Sequence, residues 1–159
     1  MLTTRQANSL LETITSEEEL KALLYQLDVS CAGSTTVLYS GVLGQVKTAS
    51  ETVSIVRASD IVNDLKNNPD IRLIDKTEAS AFLSNPALDD TLLKIFGDNR
   101  NDLGSKSNQF LFGEIMDGVR QLNGAWDIIS QRFVAETTGE VRLLAGVNTD
   151  PTRVFGAVA

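Results

Sequence analysis

Ala125-Trp126-Asp127-Ile128-Ile129-Ser130-Gln131-Arg132-Phe133-Val134, followed across Thr138-Gly139 by Glu140-Val141-Arg142-Leu143-Leu144-Ala145-Gly146-Val147, is the stretch that decides the fold class. With a 3.6-residue period, Trp126, Ile129, Arg132 and Phe133 share one side of a helix. Ser130 lies on a neighbouring line of that side, so the spacing predicts an indole and a hydroxyl facing one cleft. Thr138-Gly139 is a helix stop, and the apolar run after it reads as a strand ending near Gly146. Asp150-Pro151 marks a turn, and Arg153-Val154-Phe155-Gly156-Ala157-Val158 reads as a second short strand. Helix, strand, turn, strand is the closing order of many α/β domains.

Upstream, Thr35-Thr36-Val37-Leu38-Tyr39 is rich in β-branched and aromatic residues and runs into Ser40-Gly41. It reads as a buried strand over Ser34 to Ser40 with its tip at Tyr39-Ser40-Gly41. Ligands of open α/β sheets bind at the carboxyl ends of strands, which makes this tip a candidate site edge. Gly44 to Val56 reads as a hairpin or loop. Ser59 is the expected cap of a helix through Asp60 to Leu65, which Asn67-Asn68-Pro69 ends. Ile71-Arg72-Leu73-Ile74 is the next expected strand and finishes at Asp75. Asp75-Lys76-Thr77-Glu78 has the form of a capping box ahead of a helix over Ala79 to Leu83. Asp75 is therefore either a cap or a ligand contact, and one carboxylate can serve as both. Asn85-Pro86 opens a further helix containing Asp89 and Asp90, Asp98 to Ser107 is a polar loop, and Phe110 to Leu122 reads as an amphipathic helix.

The first third is helical in pattern. One helix is expected around Arg5 to Ile14, and a second is opened by Ser16 with Glu19 three residues on. Leu20, Leu23, Leu24 and Leu27 then form one apolar stripe, a packing face or a partner-binding face. The expectation is one α/β domain over residues 1–159. Residues 1–33 would be an N-terminal helical layer packed on a small, largely parallel sheet of about four strands.

Composition removes several function classes. The chain has 159 residues, 42% of them hydrophobic, a formal net charge of −7, one cysteine and no histidine. Without histidine there is no histidine-based triad and no zincin motif, and no metal site is expected. The lone Cys31 forms no intrachain disulfide and reads as a small buried thiol, with a nucleophile as the alternative. The acidic balance argues against non-specific nucleic-acid binding, which needs clustered lysine and arginine. No apolar run approaches a membrane span, and Met1 to Leu24 lacks a signal-peptide pattern, so a soluble chain is expected.

The succession Trp126, Ser130, Arg132-Phe133 and Phe155-Gly156-x-Val158 resembles the ADP-ribosyl cyclase and NAD glycohydrolase family over roughly the last 35 residues. Tyr39-Ser40 is similar to the aromatic-serine pair with which that family ends its first core strand. Tyr39 and Gly41 stand where the family often carries a tryptophan and a basic residue. Asp75, with threonine two residues later, resembles the acidic motif that recognises the nicotinamide carboxamide. Leu88-Asp89-Asp90-Thr91-Leu92-Leu93 copies the wording of that motif more closely, but it falls inside a predicted helix, which leaves Asp89 as the reserve candidate.

The resemblance implies an ADP-ribosyl cyclase-like fold and cleavage of the nicotinamide–ribose bond of NAD, with NAD as substrate and no separate cofactor. Trp126 would hold the nicotinamide end. Tyr39, Ser40, Ser130 and the backbone around Phe155 would cradle the rest. The family's catalytic glutamate follows Phe-Gly-x-Val, and Ala159 stands at that position, which implies either an inactivated member, the preferred reading, or an active enzyme in which another acid substitutes. The absence of disulfides points to a bacterial toxin domain, secreted or delivered into the target-cell cytoplasm and met by a cognate immunity protein. Two rivals remain: an ADP-ribosyltransferase toxin, which uses the same donor, and a non-enzymatic protein-interaction domain in which Trp126 is core.

Overall fold

The computed structural model describes residues 1–40, 42–47 and 53–145. Its centre is β1, Thr35–Ser40, with β4, Ile71–Arg72, parallel on one side and β7, Glu140–Ala145, parallel on the other. Thr35 sits opposite both Ile71 and Glu140, so the strands start level at one end of the layer, and β1 and β7 stay paired as far as Ser40 and Ala145. Successive β1 residues point to opposite faces, and both Val37 and Leu38 are buried, so the strand is covered on both sides, as parallel strands are. Leu38 joins the main core, whereas Val37 joins a smaller cluster with Val62 and Leu73.

The helices behave largely as their signals predict. α1, Thr4–Leu10, opens with a capping box between Thr3 and Gln6 and runs into a 3-10 turn over Leu11–Thr13. α2, Glu17–Leu24, is capped by the Ser16 hydroxyl, which accepts from the Glu19 amide. Leu20, Leu23, Leu24 and Leu27 are all buried, so the stripe is a packing face. It meets Phe82 of α4, Glu78–Ser84, Leu88 and Leu92 of α5, Ala87–Phe96, Leu111 of α6, Lys106–Phe112, and Ile129 and Phe133 of α7, Ala125–Ala135, in one core cluster. Arg132 of α7 ties the layers together, donating to the carbonyls of Leu24, the last residue of α2, and of Leu27 just beyond it, at 2.6 and 2.8 Å.

Of the two readings of Gly44 to Val56 the hairpin holds: β2, Val42–Lys47, pairs antiparallel with β3, Val53–Arg57. Other expectations need correction. α3, Ala58–Leu65, begins directly after β3, which puts Ser59 inside the helix and not at its cap. The Ile71 to Ile74 strand is cut to two residues, because the chain turns through a 3-10 segment over Ile74–Lys76. The Phe110 to Leu122 helix does not form. α6 stops at Gly113, whose φ of 116° ends the helix, and a hairpin follows, β5 Ile115–Met116 with β6 Val119–Arg120. Asp117 and Gly118, at φ 53° and 75°, make the two-residue turn that such a pair favours. Among the described residues the parallel sheet has three strands; the strand expected over Arg153–Val158 lies outside them.

Candidate functional site

β1 delivers Tyr39 to the carboxyl end of the central strand, where it is half-buried and touches both core clusters. The 3-10 turn after β4 swings Asp75 to the same place, and the Tyr39 hydroxyl donates to Asp75 Oδ1. Asp75 Oδ2 faces Lys66, whose Nζ stands 3.8 Å away just beyond the end of α3. Burial first, then the bond to Asp75 and its negative charge, hold the Tyr39 pKa well above the ordinary phenol range. At neutral pH the phenol is therefore a fixed hydrogen-bond donor, and Asp75 is an oriented acceptor.

Asp75 reaches this position because it is not the helix cap. Thr77 caps α4, its hydroxyl accepting from the Ser80 amide at 3.2 Å and donating to the Ile74 carbonyl at 2.6 Å. The capping reading of Asp75 is thus overturned: the 3-10 turn moves the cap two residues along and frees the carboxylate for Tyr39. The reserve candidate Asp89 has structural work. It lies in the first turn of α5 and accepts from Arg100 Nε at 2.5 Å, while the same guanidinium donates to the carbonyls of Leu83 and Asn85.

The remaining candidates are more dispersed. Ser40 is the last residue of β1, opposite Ala145. Trp126 is half-buried against the main core, at the end of α7 remote from the strand starts into which that helix leads. Ser130, on the same helix, is only 2% exposed. It sits next to Ile129 on the inward side, so the helix presents no hydroxyl to an open cleft beside the indole. Phe155 and Ala159 lie outside the described residues.

Sequence reasoning passed over two residues. Lys66 follows a helix end, where a lysine is ordinary. Arg72 is 5% exposed and donates to the Cys31 carbonyl at 2.8 Å, Thr36 Oγ1 at 2.7 Å and Thr137 Oγ1 at 3.0 Å, with its guanidinium 4.5 Å from the centre of the Phe133 ring. A lone arginine in a short apolar strand was the available signal, since a cation there needs buried partners.

Two cavities lie away from Tyr39 and Asp75. One, of about 320 Å³, is bordered by Lys21, Phe96, Phe110 and Met116; the other, of about 330 Å³, by Asn8, Glu12, Asp90 and Lys94. Among the described residues no three cysteine or carboxylate side chains gather as a metal ion needs, and no helix is long and apolar enough to cross a membrane. Comparison of the chain with protein-family models, curated proteins and solved structures finds no match.

Proposed function

We propose that this domain acts on NAD at the nicotinamide–ribose bond, as a glycohydrolase or ADP-ribosyl cyclase of ADP-ribosyl cyclase-like fold. The observation that supports the reading most is the contact between Tyr39 and Asp75. Two side chains separated by 36 positions, each similar to a different motif of that family, meet at the carboxyl end of the central parallel strand. In this reading Asp75 accepts from the nicotinamide carboxamide, and the Tyr39 ring and the Trp126 indole flank the leaving base. Cleavage proceeds through an oxocarbenium-like ribose, which a carboxylate stabilises. Alanine at position 159 neither accepts the ribose hydroxyls nor balances that charge, so the chain binds NAD but turns it over poorly.

We further propose a bacterial toxin domain, secreted or delivered to the target-cell cytoplasm and neutralised by a cognate immunity protein; this rests on the disulfide-free chain and the family resemblance alone. The packing of Trp126 against the main core favours a second reading, a non-enzymatic interaction domain in which the indole is structural.

Calorimetric titration of the chain with NAD, beside an assay of NAD consumption by the chain and its Ala159→Glu variant, separates the two. The NAD reading expects binding by both and a gain in turnover of at least about 100-fold in the variant. Absence of both binding and turnover in both proteins would favour the interaction domain. Product analysis without any acceptor protein distinguishes hydrolysis and cyclisation from ADP-ribosyl transfer.

A further inference from the structure

Resting on the NAD reading, we propose that Lys66 is the anion-binding residue of the Tyr39–Asp75 site. Its ammonium leans on Asp75 and, when a nucleotide binds, moves to one of its phosphates, releasing the carboxylate oxygen for a donor on the ligand.

The two oxygens of Asp75 are held differently. Oδ1 accepts from the Tyr39 hydroxyl, which fixes the carboxylate plane. Oδ2 meets Lys66 Nζ at 3.8 Å, beyond the roughly 2.7–2.9 Å of a committed charge-assisted hydrogen bond. The lysine side chain is 44% exposed, so exchanging this partner for another anion costs little. The neighbouring Lys76 cannot serve in its place. Its ammonium donates to the carbonyls of Asn68 and Ile71 at 2.8 and 2.7 Å, which anchors it beneath the turn. Lys66 has no such anchor among the described residues, and it sits on a chain of net charge −7 that repels anions at long range. A ligand with a phosphate therefore needs a local cation, and among the described residues Lys66 is the one that faces the oriented carboxylate. The class selected is a nucleotide, carrying an amide or hydroxyl donor for Asp75 Oδ2 and a phosphate within reach of Lys66, over the matching phosphate-free nucleoside.

The test compares the binding of NAD and of nicotinamide riboside, which lacks the pyrophosphate, to the full chain and to its Lys66→Gln and Lys66→Arg variants. Circular dichroism checks that each variant is folded. The inference expects Lys66→Gln to weaken NAD binding about 10-fold or more, to leave nicotinamide riboside within about twofold, and to flatten the salt dependence of NAD binding. Lys66→Arg should restore most of the preference for NAD. Equal losses for both ligands, or no loss for NAD, would overturn the role of Lys66 while leaving the NAD reading intact. Failure of the unaltered chain to bind either ligand would overturn the NAD reading itself, and the inference with it.

Discussion

Replacing Tyr39 with phenylalanine removes one hydroxyl and little else, and its effect on stability has a calculable pH dependence. The hydroxyl donates to a carboxylate, a bond worth about 1.5–3 kcal/mol when shielded from water. Asp75 keeps 24% of its side chain exposed, so water replaces part of the lost bond and about 1.5 kcal/mol is the expected cost at pH 7. Burial, the bond to Asp75 and its charge raise the Tyr39 pKa above the ordinary value of 10.0. A group whose folded-state pKa is raised stabilises fully below its unfolded pKa and loses that contribution as pH climbs, because the unfolded phenol releases a proton that the folded one keeps. Up to pH 11 this amounts to about 1.4 kcal/mol, reduced to about 1 kcal/mol by the partial access of the phenol to water. Phenylalanine has no proton to lose, so the stability gap between the two proteins shrinks from about 1.5 kcal/mol at pH 7 to about 0.5 kcal/mol at pH 11. Urea unfolding followed by Trp126 fluorescence at pH 7, 9 and 11 measures the gap directly. A gap that stays constant over that range would refute the reasoning, since the phenol would then titrate alike in the folded and unfolded chains.

Substitutions at two further positions probe the frame of the fold. Arg72→Met leaves acceptors on Cys31, Thr36 and Thr137 short of a donor, and relief of a buried cation offsets only part of this, so a loss of about 2–4 kcal/mol is expected in urea unfolding. Arg72→Lys should recover less than half, because one ammonium cannot span the fork; a methionine variant as stable as the parent would show that the guanidinium is dispensable. Gly113→Ala places a Cβ 1.9 Å from the Gln121 carbonyl oxygen at a φ of 116°, and a cost above about 2 kcal/mol is expected. A urea midpoint unchanged by that substitution would mean that the β5–β6 segment yields without strain.

Local signals were legible where one short-range interaction decided the outcome. The Ser16–Glu19 pattern started α2, Gly139 followed α7, and the leucines from Leu20 to Leu27 landed in the core. Legibility failed where two local signals competed. Periodicity over Phe110 to Leu122 suggested a helix, yet Gly113 and Asp117-Gly118 hold positive φ values that a continuing helix excludes. At Asp75 to Glu78 two residues had capping chemistry, and only the 3-10 turn assigned the cap to Thr77.

The sequence by itself determined an α/β chain, the start of α2 and its packing stripe, the β1 strand with Tyr39 at its tip, and the exclusion of histidine-dependent chemistry, because each depends on composition or on residues a few positions apart. Tertiary structure alone decided that Tyr39 and Asp75 meet, that Lys66 faces the remaining carboxylate oxygen, that Ser130 turns inward, and that Arg72 is buried over Phe133. Tyr39 and Asp75, and Arg72 and Phe133, lie far apart along the chain, and Lys66 and Asp75 are separated by a helix end, a short strand and a turn. Their approach follows from the parallel pairing of β1 with β4 and β7 and from the packing of α3 and α7 on that sheet, which burial of the whole core sets and no local spacing encodes.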